Sequence, residues 1–152
     1  MSLSKALLLA LLQATASLVE AKSIPVQVLV GAGGELTFTS NTAQANPGDT
    51  VDFLFLSHNH TVTQGDPTKC CTPLSMDATK EIDSGYVYMT PRTSNVSYTA
   101  ADTGIVKTLS FNVQSSEMML FYCAQATHCQ EGMVFAINAQ VYLFSSNAKL
   151  QC

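Results

Sequence analysis

The sequence predicts an all-β sandwich or barrel of about seven or eight strands. Three observations carry that prediction. Short runs rich in β-branched and aromatic residues recur along the chain, such as TVDFLFL at 50–56 and MVFAIN at 133–138. Turn-forming residues separate these runs, most plainly at Asn46-Pro47-Gly48-Asp49. No long helical period survives beyond the apolar N-terminal segment.

Taken in order, IPVQVLV at 24–30 is the first strand, and Gly31-Ala32-Gly33-Gly34 breaks it. LTF at 36–38 is a second, shorter one. After the 46–49 turn comes TVDFLFL. Ser57-His58-Asn59 interrupts it, and extended structure resumes over HTVTQ at 60–64. Residues 65–92 read mostly as loop, with Gly65, Pro67, Pro73, Gly85 and Pro91 as punctuation and a helical turn near 78–81. SNVSYT at 94–99, TLSFNV at 108–113, MMLFYC at 118–123 and MVFAIN at 133–138 complete the strands. Strand residues alternate faces, so Met119, Phe121 and Cys123 are expected to point inward, with Leu120 and Tyr122 opposite.

The 152 residues are enough for one domain with a core, and a composition 47% hydrophobic and 12% charged is globular. The formal charge of −4 offers no basic footprint, so nucleic acid is not an expected partner. Lys5 followed by ALLLALL at 6–12, with small residues at Ala16 and Ala21, has the form of a secretory signal peptide. The expected division is a signal at 1–21 and a single domain at 22–152. The polar C-terminal stretch after Phe144 lacks the apolar tail of a lipid-anchor signal. The expectation is therefore a secreted protein without a membrane anchor, and a monomer.

The densest chemistry lies in FYCAQATHCQEGMV at 121–134. Cys123, His128 and Met133 are spaced C-x4-H-x4-M, placing a thiol, an imidazole and a thioether in one loop between two strands. Copper is the first-row metal that best suits that donor set. A trigonal site needs a second imidazole. His60 ranks ahead of His58 because it shares a strand face with Val62. A zinc site built from Cys123, His128 and Cys129 is the weaker alternative, since it lacks a fourth ligand and methionine serves zinc poorly. A four-ligand sphere has no open position, and no nucleophile or acid–base constellation stands out elsewhere, so an enzyme is not expected.

Five cysteines are an odd count for an exported chain. With Cys123 kept as a thiol for metal, Cys70, Cys71, Cys129 and Cys152 allow two disulfides. Adjacent cysteines cannot bridge each other without strain. The pairs are Cys71–Cys129 with Cys70–Cys152, or the swapped arrangement. Asn59-His60-Thr61 and Asn95-Val96-Ser97 are glycosylation sequons. Asn95 lies in a polar stretch and is the better candidate; Asn59 overlaps the expected ligand His60.

The segments VQVLVGAGGELTF, NPGDTVDFLF, NHTVTQ, CTPL, SGYVY, SFNV and FYCAQATHCQEGMVFAIN together resemble the cupredoxins, and within them the secreted fungal proteins related to plant phytocyanins. They span nearly all of the chain after the signal. The resemblance implies a Greek-key β-sandwich holding one copper ion on His60, Cys123, His128 and Met133. It implies one-electron transfer through Cu(I)/Cu(II), with His128 at the exposed edge as the electron port. The partner, a redox protein or a small reductant, is not specified. The family's disulfide falls on Cys71 and Cys129. Cys70 and Cys152 depart from the family pattern, and a bridge between them is an addition here. Copper scavenging, or a cell-wall interaction role without a redox partner, is the competing reading.

Overall fold

The structure is a computed structural model that describes residues 25–69, 71–75, 81–90 and 106–139. The expected signal segment, the strand at 94–99, Asn95, Cys70 and Cys152 lie outside these residues, as does most of the helical turn at 78–81.

Ten strands are present among the described residues: β1 (Val26–Val30), β2 (Phe38–Thr39), β3 (Thr42–Ala43), β4 (Thr50–Phe55), β5 (His58–His60), β6 (Thr63–Gly65), β7 (Val87–Met89), β8 (Lys107–Asn112), β9 (Met119–Tyr122) and β10 (Val134–Ile137). They form two four-stranded sheets, ordered β2-β1-β4-β8 and β3-β10-β9-β6, and a ribbon of β5 with β7. β1 runs parallel to β4 with Val28 opposite Phe53, and β10 runs parallel to β3; the other pairings are antiparallel. The all-β sandwich expected from the strand and turn pattern is the fold.

Alternation within each strand builds the interior. In β4, Val51, Phe53 and Phe55 join the main core, while Leu54 and the following Leu56 face the other way and pack with Val106 and Leu29. Phe53 sits centrally among aromatic rings. Its centroid is 5.3 Å from both Phe121 and Phe135 of the opposing sheet and 5.9 Å from Phe38. Edge and tilted contacts of this kind each contribute about 0.5–1.5 kcal/mol beyond area burial. In β9, Phe121 and the adjoining Cys123 belong to the main core with Met119 packed against them. Tyr122 faces a separate cluster with Cys129 and Val134. The turn at 46–49 closes as its residues suggest: Asp49 N–H donates to Asn46 O (3.0 Å), Asn46 N–H to Asp49 Oδ2 (2.8 Å), and Gly48 takes φ 95°.

Two features differ from the linear reading. The single extended segment at 60–64 is divided, because β5 pairs with β7 whereas β6 pairs with β9. The chain changes partner sheets across Thr61 and Val62. The stretch 65–92 also contains β7, a three-residue strand that forms because Val87 lies opposite His60 and Tyr88 opposite Asn59. Pairing between segments distant in sequence decides both features.

Candidate metal centre

The exit from β9 and the entry to β10 are tied together by the backbone. Cys123 N–H donates to Met133 O (3.2 Å), Met133 N–H to His128 O (2.9 Å) and His128 N–H to Gln125 O (3.0 Å). Gly132, at φ 97°, supplies the left-handed bend that returns the chain, and its N–H donates to Cys129 O (2.9 Å). Below the loop, Cys129 is joined to Cys71 by a disulfide with a Cα–Cα separation of 5.8 Å.

His60 approaches from the end of β5. Its ring is fully buried, whereas His128 is half-buried and His58 exposed. Cys123 Sγ lies 3.3 Å from His128 Nδ1 and 3.7 Å from His60 Nδ1. The three donor atoms all lie within 4.8 Å of one another. Nitrogen and sulfur donors held about 2.0 and 2.3 Å from a metal, at trigonal angles, lie about 3.7 Å apart, so the spacing suits one shared ion. Met133 is fully buried in the same core cluster as Cys123. Thiolate, imidazole and thioether together fit copper. His58 is absent from the converging set; its ring centroid is 6.4 Å from that of His60.

The electrostatics favour neutral imidazole and a metal-dependent thiolate. His60 is lowered from 6.5 to about 4, chiefly because burial penalises the imidazolium, with repulsion from His128 and then His58 adding to it. An unprotonated ring is the form that ligates metal. Burial raises the Cys123 thiol, while N–H groups of Thr61 and Gln125 pull it back. The Thr61 N–H lies 3.3 Å from Sγ. A bound cation reverses the effect of burial and deprotonates a coordinating thiol.

Several supporting residues were not legible as such in the sequence. The Thr61 hydroxyl accepts from Ala124 N–H (2.7 Å), tying the His60 segment to the residue after Cys123. Asn59 Nδ2 donates to Gln125 Oε1 (3.1 Å) across the same seam. Gly31 appears in the sequence only as a strand breaker, yet it lies against the His60 ring. The adjacency of GAGG to the end of a strand was the one available signal.

No protein-family model matches the chain. An extracellular serine-rich protein of Arthroderma benhamiae is 31% identical over 113 residues, which is 74% of this chain and 38% of the relative. A probable GPI-anchored cupredoxin of the same fungus is 28% identical over 125 residues, covering 82% of this chain and 55% of the relative. Over that length the chain is similar to this cupredoxin. It spans 38% and 55% of the lengths of these two relatives. Among solved structures, a purple cupredoxin from Nitrosopumilus maritimus aligns with this chain at a TM-score of 0.49 and 12% identity, over 74% of this chain and 96% of the other. Rusticyanin from Thiobacillus ferrooxidans aligns at 0.47 and 18%, over 76% of each chain.

Proposed function

We propose that this chain is a mononuclear type 1 copper protein that carries single electrons. His60, Cys123, His128 and Met133 would hold the ion. The observation that carries the reading is the convergence of three donor atoms of the right softness, within 4.8 Å of one another, at one end of a rigid sandwich. When bound, copper supplies the Cu(I)/Cu(II) couple in a donor set that both oxidation states tolerate.

The chain's contribution is to hold that set still. Thr61 fixes Cys123 through an N–H donated to sulfur and ties down Ala124 through its hydroxyl. The Asn59–Gln125 bond and the Cys71–Cys129 disulfide brace the two sides of the ligand loop. Ligands that do not relocate keep the reorganisation between redox states small. His128, half-buried where the other two donors are fully buried, is the path for the electron. The donor is a partner protein or a small reductant.

Export to the cell exterior belongs to the same proposal. The signal-like segment at 1–21 supports it, as do the printed names of the two relatives, one extracellular and one GPI-anchored. The test is the optical and EPR spectrum after stoichiometric Cu(II) is added. An intense thiolate-to-copper charge-transfer band that disappears in Cys123→Ser is expected. A native chain that binds copper without that band overturns the type 1 assignment.

A further inference from the structure

We propose that His58 is a capture ligand for copper, taking the ion at the mouth of the centre and passing it inward to Cys123, His60 and His128. This rests on the copper reading above and adds a residue to it.

His58 opens β5 in the left-handed region, at φ 57°, which non-glycine residues seldom adopt. Its ring is nevertheless oriented. The Ser57 hydroxyl, which has one proton, donates it to the Gly31 carbonyl. The 3.2 Å contact between Ser57 Oγ and His58 Nδ1 therefore has the imidazole as donor. In the neutral ring this arrangement puts the hydrogen on Nδ1 and the lone pair on Nε2. Metal-ligating histidines are set the same way, with the far ring nitrogen bonded to a neighbouring oxygen.

His58 also lines a cavity of about 310 Å³ together with Gly34, Leu36, Asn59, Gln125 and His128. The cavity thus joins an exposed imidazole to one of the three converging donors. The His58 ring centroid lies 6.4 Å from that of the buried His60, which in turn lies 5.2 Å from that of His128. Among the described residues no carboxylate lines the cavity, so it suits a borderline cation such as copper rather than calcium or magnesium. In the transfer, the bond from copper to His58 Nε2 breaks as the bond to Cys123 Sγ forms. The thiol proton leaves to solvent and the oxidation state does not change.

The experiment is stopped-flow uptake of Cu(II) by the apo chain, followed through growth of the charge-transfer band. Native protein is compared with His58→Asn and His58→Gly, both of which accept a positive φ. Capture raises the local copper concentration beside the centre, so uptake at limiting copper is expected to slow about tenfold in both variants, with the final spectrum unchanged. Free imidazole in the buffer should restore the rate of His58→Gly. Equal uptake rates in native and variant proteins overturn the inference while leaving the copper centre intact. Loss of the final band in both variants also overturns it, because His58 is then a resident ligand. A native chain that takes up no copper removes the reading on which it rests.

Discussion

Gly31 and His60 are in contact so close that no side chain fits between them. A Cβ at residue 31 would stand 2.5 Å from His60 Nε2 and 2.8 Å from Cδ2. Gly31 also takes φ 71°, where other residues are strained. The His60 Nε2 it covers is buried and has no hydrogen-bond partner among the described residues.

Gly31→Ala is therefore expected to push the His60 ring out of place. The backbone strain alone costs about 1–2 kcal/mol. Copper affinity should fall and the charge-transfer band should shift or vanish in a variant that still folds. Circular dichroism with copper titration checks this, and a native-like band and affinity contradict it.

Replacing each histidine of the pair separates their roles. His60→Ala is expected to abolish the band, because it removes one of the three converging donors. His58→Ala should retain it at full intensity once equilibrium is reached. The reverse outcome reassigns the ligand to His58.

Phe53→Ala should destabilise the fold by about 3–5 kcal/mol in urea unfolding. Phe53 is fully buried and its ring meets Phe38, Phe111, Phe121 and Phe135, so neighbours from both sheets lose their packing at once. A loss below about 1 kcal/mol would show that the core collapses into the gap.

The disulfide closes a loop with a sequence separation of 58. By chain entropy such a crosslink stabilises by about 4 kcal/mol at most. The double variant Cys71→Ser, Cys129→Ser should lose about 2–4 kcal/mol of stability. Thermal unfolding of apo protein measures this.

Acid should weaken the apo fold through His60. The unfolded chain takes up this proton as pH falls through 6.5, whereas the folded chain resists until about 4. Stability from this group is complete above 6.5 and is lost as pH falls towards 4, by up to about 3 kcal/mol. Melting curves between pH 7 and 4.5 should show the decline, and His60→Gln should flatten it.

Of the candidate site, the part carried by contiguous residues was proposed from the sequence, and the structure brings Cys123 and His128 together. Cys123, His128 and Met133 lie in one loop between two apolar strands, and alternation put Cys123 on the inner face. His60 was reachable from the face it shares with Val62, and both are fully buried. What could not be read depends on pairing between distant segments. The change of sheet at Thr61–Val62, the strand at Val87–Met89 and the fit of Gly31 on His60 have no local signature. The tautomer of His58 depends on a serine whose proton is committed to a carbonyl 26 residues away in sequence.

Strand β9 also acts as a partition. Cys123 belongs to the main core on one side, and Cys129, six positions later, to the separate cluster around Tyr122. Among the described residues, the crosslinked cysteine and the free thiol proposed as a metal ligand are thus kept in different compartments. An oxidant that completes the Cys71–Cys129 bridge cannot miswire it to Cys123 unless β9 first leaves its sheet. Once the sandwich is formed, the buried Cys123 thiol is thus set apart from the pair that crosslinks.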